Sequence, residues 1–185
     1  VFENKLFWSS VRTKVFVTVV GTFLGVICSV AAAYPLSKKD LPGGKFFFNM
    51  MLFNMFFSGG LIPGYLVVQQ VGLGDSIWCM ILPVLVGQFN IILIKNYVED
   101  LPASIEESAR IDGAHDMVIL FKIILPMSTP IIATVALFIA VDRWNEYWFA
   151  MLHIIDKAKQ PLQLLLRNVL MDTTHAMTGA AAAIA

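Results

Sequence analysis

Few residues in this chain carry chemistry, and their spacing builds no catalytic set. The three histidines, His115, His153 and His175, stand at no metal-ligand spacing to one another or to either cysteine. No Gly-x-x-x-x-Gly-Lys-Ser/Thr loop, Gly-x-Ser-x-Gly elbow or His-Glu-x-x-His pair occurs. Cys28 and Cys79 both lie in apolar runs and read as small core residues rather than a disulfide framework. The remaining polar groups lie within or beside apolar stretches: Asn54, Gln88, Asn90, Asp142, Asn145 and Glu146. Polar groups in such places are costly and tend to be functional. Trp144 and Trp148, at i and i+4, are expected to share one helix face. Aromatic faces stack on sugar rings, and an Asn amide both donates and accepts, so Asn54, Asn90, Trp144, Asn145 and Trp148 form a candidate pathway for a polyhydroxylated solute. Other roles fit the same residues: an interfacial aromatic belt for the tryptophans and interhelical hydrogen bonds for the asparagines. Asp142 and Glu146 are also four apart, and two such like charges need water or a cation nearby.

The elements that must hold these groups are set by composition. Of 185 residues, 58% are hydrophobic and 14% charged, which is too much apolar surface for one small soluble core. The formal net charge is zero, so no basic field invites nucleic acid. A bilayer-crossing helix takes about 20 apolar residues, and four runs qualify: Val15 to Ser37, Phe46 to Gly74, Ser76 to Ile94 and Ile123 to Val141. They do not alternate apolar and polar, which excludes a β-barrel, so helices are predicted. Gly59-Gly60 and Pro63-Gly64 interrupt the second run. It divides into a span from about Phe46 to Leu61, then a broken turn and a short interfacial helix to about Val71. Gly21-x-x-x-Gly25 marks close helix packing in the first.

Lysines and arginines orient the chain. Lys38, Lys39 and Lys45 fill the first loop, Lys95, Arg110 and Lys122 the third, and the second short loop has none. Both basic loops are therefore expected in the cytoplasm, with Val1 and the segment after Ile155 outside. Lys5, Arg12, Lys14, Lys157 and Lys159 fall on the outer side and weaken the bias without reversing it. The chain begins with Val1 rather than Met and ends in an alanine-rich run to Ala185. A parent of about six spans, truncated here at both ends, is the expectation.

The third loop, Glu99 to Leu125, is long and reads as two short helices. Pro102 suits a first turn, Ser104-Ile105-Glu106-Glu107 has the form of a capping box, and Gly113 stops the helix. Asp116 to Ile124 is a second amphipathic stretch, expected to end before Pro126. The whole is a rigid knob on the cytoplasmic side.

Here the sequence resembles a known family. Glu107-Ser108-Ala109, three residues, Gly113, nine residues and Ile123-Ile124-Leu125-Pro126 is similar to the Glu-Ala-Ala signature of ABC-importer permeases. Ser108 stands where alanine is usual. Ala33-Tyr34-Pro35-Leu36-Ser37, Leu61-Ile62-Pro63, Val71-Gly72-Leu73 and Trp144-Asn145 look like oligosaccharide permeases of the maltose-type and lipoprotein-partnered branch. The resemblance implies an all-α polytopic transmembrane bundle of the MetI-like permease type in the bacterial inner membrane. Residues 1–185 would form one type-1 permease domain, and 99–125 its coupling loop. It implies that Glu107, Ser108, Ala109, Gly113, Ile123, Leu125 and Pro126 dock an ATPase dimer. A second permease subunit and an extracytoplasmic sugar-binding protein or lipoprotein would complete the transporter. ATP and Mg would sit on the ATPase, with no cofactor, metal or enzymatic activity on this chain. Glu107 as a plain helix cap and Gly113 as a plain stop are compatible with that role. The alternatives are a permease for amino acids, peptides or another solute, and, in another class, an ion-coupled secondary transporter. The latter calls for a buried ionisable residue at mid-membrane, and the first three runs contain none.

Overall fold

The computed structural model describes residues 5–184, so the expectations placed on Val1 and Ala185 fall outside it, as does the side chain of His175. Every regular element among the described residues is helical. The first is α1, Lys5–Leu36, ten residues longer at its start than the apolar run predicts. Next come α2 (Gly44–Phe56) and α3 (Leu61–Gln70), separated by a break at Gly59 and Gly60. Gly60 has φ 89, a left-handed backbone that glycine adopts without a Cβ clash. Pro63 falls in the first turn of α3, where its missing N–H costs nothing.

The third run is not the continuous helix expected. Two 3₁₀ turns, Ile77–Met80 and Leu82–Val84, precede α4, Gln88–Glu99. Pro83 removes an N–H in this stretch, and Gly87 caps α4 in extended conformation. Gln88 and Asn90 thus stand in the first turn of α4, not in mid-span.

Two short helices follow, α5 (Ala103–Ile111) and α6 (Asp116–Ile119). Contrary to expectation, the second does not end before Pro126. It passes into a π segment, Leu120–Ile124, and then α7, Leu125–Met127. Proline in a regular helix collides with the carbonyl four residues back. The wider π turn, in which the Leu125 N–H reaches the Leu120 carbonyl, eases that crowding at Pro126. The bend comes instead at Ser128, where the axis turns by 78° into α8, Thr129–Asn145. Pro130 supplies the reason, because it cannot donate to the Pro126 carbonyl. The Thr129 hydroxyl donates to that carbonyl instead, at 2.7 Å. The chain ends with α9 (Trp148–His153), a 3₁₀ turn at Lys157–Lys159 and α10, Leu162–Ile184. Among the described residues one helix, α1, is long and apolar enough to cross a membrane, or up to four spans if each bent pair counts as one.

The residues fall into two compact units. The first holds α1 up to Gly21, residues 60–83, and the chain from Val141 onward. Asp75 is its fastener. Its Oδ1 accepts the N–H groups of Ile155 and Asp156 at 3.1 and 3.0 Å, and its Oδ2 pairs with Lys159 at 2.8 Å. Asp75 holds φ 53, a conformation aspartate tolerates better than most side chains. The hydrogen bond from Lys159, with those from the Asp156 and Ile155 amides, holds the Asp75 carboxyl below its usual range. His153 stacks on Tyr65, ring centroids 5.0 Å apart, and burial lowers its affinity for a proton.

The second unit holds residues 22–59 and 84–140. Its core is Ala33 and Tyr34 of α1, Ile91, Ile94 and Val98 of α4, Ala109 of α5, then Ile119, Leu120, Ile124, Val135 and Ile139. Gly25 lets α1 approach closely: a Cβ there would lie 3.2 Å from the Leu85 carbonyl and 3.3 Å from Ile139. In the first unit a Cβ on Gly21 would meet the Arg143 side chain at 3.3 Å. Both glycines of the Gly-x-x-x-Gly thus accommodate neighbours.

Candidate functional site

The knob predicted between Glu99 and Leu125 is built by α5, a left-handed turn and α6, all in the second unit. Its turn is closed by two backbone bonds: Ala114 N–H to Ala109 carbonyl at 2.9 Å and Gly113 N–H to Arg110 carbonyl at 3.0 Å. That pair is the Schellman arrangement, with Gly113 at the left-handed position, φ 83. Nothing lies within 4 Å of where a Gly113 Cβ would stand, so backbone conformation, not space, selects glycine.

The capping box does not form. α5 begins at Ala103 with Pro102 at the N-cap and no side-chain cap bond, so Ser104 already lies inside the helix. Glu106 turns elsewhere. It pairs with Lys38, just past the end of α1, and with Arg110 at 3.1 Å. Arg110 pairs in turn with Asp116 at 2.6 Å, and the Tyr34 hydroxyl donates to the Asp116 carbonyl at 3.3 Å. The Lys38 ammonium also lies 4.3 Å from the centre of the Tyr34 ring. Burial alone raises the Glu106 carboxyl pKa, but hydrogen bonds from Lys38 and Arg110 and their charges outweigh it, and the net shift is downward. The hydrogen bond to Glu106 and the charge of Asp116 raise the Arg110 guanidinium. This chain of charges ties the knob to the end of α1. Sequence reasoning missed it, although Glu106 and Arg110 stand at the i, i+4 spacing of a helix ion pair.

With Ala109 turned into the core, α5 presents Ser104, Glu107, Ser108 and Ile111 outward at helical spacing. Ile111 is 86% exposed, an unusual position for isoleucine and one that sequence reasoning did not select. The Glu107 carboxylate has no hydrogen bond or ion pair among the described residues. Of the other predicted docking residues, Ile123 and Leu125 pack against the core, and Pro126 is exposed.

The predicted solute-contacting residues divide between the units. Asn54 lies exposed on α2, and Asn90 is half-buried on α4, both in the second. Trp144, Asn145 and Trp148 belong to the first. The two tryptophans do not share a helix face, because α8 stops at Asn145 and α9 begins at Trp148. Each remains exposed, 42% and 44%. The Asn145 amide is occupied, donating to the Val141 carbonyl at 2.9 Å. Glu146 does not stand beside Asp142 as a loose like-charge pair. Its Oε1 accepts the Phe149 N–H at 2.9 Å, which caps the start of α9. The Glu146 carbonyl accepts from the Lys14 ammonium. Lys14 is wholly buried in α1, where sequence reasoning placed it outside the first span. Arg143 reaches the Met80 carbonyl at 3.5 Å.

Residues 15–184 match the family described as binding-protein-dependent transport system inner membrane component. The polygalacturonan/rhamnogalacturonan transport system permease protein YtcP of Bacillus subtilis is 46% identical over 171 residues, which are 92% of this chain and 60% of YtcP. Protein LplC of the same organism is 46% identical over 169 residues, 91% of this chain and 57% of LplC. A crystal structure of a bacterial ABC transporter involved in the import of the acidic polysaccharide alginate contains a chain that superposes with a TM-score of 0.90 at 39% identity. That match covers 92% of this chain and 61% of the other. The chain thus spans about three fifths of the length of these relatives.

Proposed function

The chain belongs to the binding-protein-dependent transport system inner membrane component family, and on that premise we propose that its parent is the permease subunit of an ATP-driven oligosaccharide importer. Its α5 knob would be the element seated in a separate ATPase. The observation that carries this reading is the construction of α5. Ala109 and the Lys38–Glu106–Arg110–Asp116 chain anchor one side, while Ser104, Glu107, Ser108 and Ile111 face outward with no side-chain partner among the described residues. A rigid, anchored helix with a small-residue face is suited to transmit a push from ATPase closure into α1. Glu107, Ser108, Ala109, Gly113, Ile123, Leu125 and Pro126 then divide their work. Glu107 and Ser108 touch the ATPase, Gly113 sets the turn, and Ala109, Ile123 and Leu125 hold the knob to its unit.

The transport cycle is alternating access. ATP binding on the partner opens the cavity outward, and hydrolysis with Mg on that partner resets it. Two ATPase subunits, a second permease subunit and an extracytoplasmic binding protein complete the assembly in the bacterial inner membrane. No bond is made or broken on this chain, and it holds no cofactor. The basic loops at Lys38–Lys45 and Lys95–Lys122 lie in the cytoplasm. Among cargos we favour oligosaccharides bearing uronic acid carboxylates. Support comes from the polygalacturonan/rhamnogalacturonan permease and the alginate importer, at 46% and 39% identity. Asn54, Asn90, Trp144, Asn145 and Trp148 are the proposed pathway residues.

The test uses the full-length chain purified in mild detergent from its native membrane, wild type beside a Glu107→Lys, Gly113→Val double variant. An ABC ATPase copurifying with wild type and lost from the variant supports the docking role. If wild type brings down no ATPase, the reading fails, and an ion-coupled transporter becomes the working hypothesis. Uptake of digalacturonate against a neutral disaccharide, in proteoliposomes of the whole complex, decides the cargo class.

A further inference from the structure

Beside the turn between α1 and α2 lies a half-open cavity of about 570 Å³ in the second unit, apart from the outward face of α5. Its lining is strongly basic. Lys38, Lys39, Lys45 and Lys95 line it against a single acid, Glu99. Lys95 is committed to Glu99 at 2.7 Å and Lys38 to Glu106. Lys39 and Lys45 are exposed and have no ion pair among the described residues; Asp40 is the nearest acid in sequence. The floor is apolar, from Leu36, Leu41 and Phe48. Gly43, at φ 77, and Gly44 bring bare backbone to the rim. No side chain caps the N-terminus of α2, which opens here, and the helix dipole adds positive potential at that end.

What leads away from the cavity is apolar. None of the residues of α2 is buried, and Phe46, Phe47, Met50 and Phe53 are each more than half exposed. A ligand matched to both surfaces carries an anionic phosphate head and a hydrocarbon tail. We propose that this cavity binds the headgroup of an anionic phospholipid of the cytoplasmic leaflet, with its acyl chains along α2. Lys39 and Lys45 contact the phosphate, and Lys38 and Lys95 add field while keeping their own pairs. A free phosphate would use the lysines but not the apolar track. An acidic segment of the ATPase would use the lysines and leave α2 to the bilayer. The inference rests on membrane insertion with these lysines inside, and not on the identity of the cargo.

The test is native mass spectrometry of the full-length permease in its purified complex. The complex is delipidated and then given equal amounts of phosphatidylglycerol and phosphatidylcholine with the same acyl chains. Wild type should retain phosphatidylglycerol over phosphatidylcholine by about thirtyfold, the effect expected of two lysines near a membrane surface. Lys39→Gln with Lys45→Gln should lose one tightly held phosphatidylglycerol while the partner subunits remain bound. Lys39→Arg with Lys45→Arg should keep it. Millimolar inorganic phosphate should leave the lipid in place. Equal retention of the two lipids by wild type overturns the proposal, as does unchanged retention by the glutamine variant. Displacement by inorganic phosphate assigns the cavity to a free anion and also overturns it. Loss of the ATPase from the glutamine variant, with phosphatidylglycerol unaffected, makes the cavity a protein-docking surface, and the lipid assignment falls.

Discussion

Lys38, one turn beyond the last core residue of α1, reaches across to Glu106 on α5. They are 68 residues apart in the chain. Their side chains are 22% and 23% exposed, and the pair continues through Arg110 to Asp116. With the Tyr34 hydroxyl on the Asp116 carbonyl, it is one of two polar links among the described residues between the end of the longest apolar helix and the knob. Lys38→Met and Glu106→Gln should each lower cargo-stimulated ATP hydrolysis by the reconstituted transporter, and the reversed pair Lys38→Glu with Glu106→Lys should restore part of it. A double-mutant cycle on thermal stability should give a coupling of about 1 kcal/mol or less, since partial exposure screens the pair. Strictly additive effects on both stability and ATP hydrolysis would show that the link carries no force.

Ile111 is the most exposed apolar side chain of α5, on the stripe with Glu107 and Ser108. Ile111→Asp removes no core contact, so the free energy of unfolding should change only by the range of a surface substitution, about 0.5 kcal/mol. ATPase retention in detergent should fall sharply. A variant that keeps its ATPase and full uptake would place the interface elsewhere.

Gly113 is selected by its φ of 83 in open space. Gly113→Val should cost about 1–2 kcal/mol in stability, the cost of a left-handed backbone for a residue with a Cβ. Gly113→Asn should cost clearly less, because asparagine visits that region more readily. If uptake follows the same order, the turn angle matters to coupling. Equal melting temperatures for the two variants would contradict this account of the turn.

His153, stacked on Tyr65 and Phe149, resists protonation because burial disfavours the cation. Its folded pKa lies below the usual 6.5. An unfolded chain then takes up the proton more readily. The stabilising effect is fully present above pH 6.5 and is lost as pH falls through the lower folded value. Melting temperature should therefore drop on acidification through that window, and His153→Phe should flatten the profile there. An unchanged acid limb in the variant would assign it to other groups.

Much of the helical architecture was legible in order. The first apolar run identifies α1, whereas the second, third and fourth are each divided by a bend, because run length reports avoidance of water and not the glycines and prolines that break a helix. Gly113 as a helix stop and Gly59-Gly60 as a break follow from backbone sterics, which are local to each residue. The helix boundaries were less legible. Ser104 offered a cap of the right form, yet the helix starts a residue earlier and Glu106 is spent on Lys38. Trp144 and Trp148 have helical spacing, yet the helix breaks between them where Glu146 turns back to cap α9. Pro126 predicted an end, and a π turn carried the helix past it.

Composition, apolar run length and the residue spacing within 99–125 by themselves determined that this is a helical membrane chain with one long polar loop, since those properties depend on the solvent and on nearest neighbours. The tertiary structure alone decided that Lys14 is buried against the Glu146 carbonyl, that Lys38 holds Glu106, and that Ile111 faces out while Ala109 faces in. Each of these joins residues far apart in sequence or distinguishes two sides of one helix. Pairing of that kind is settled by which surfaces meet when the helices pack, and no periodicity within a single segment encodes it.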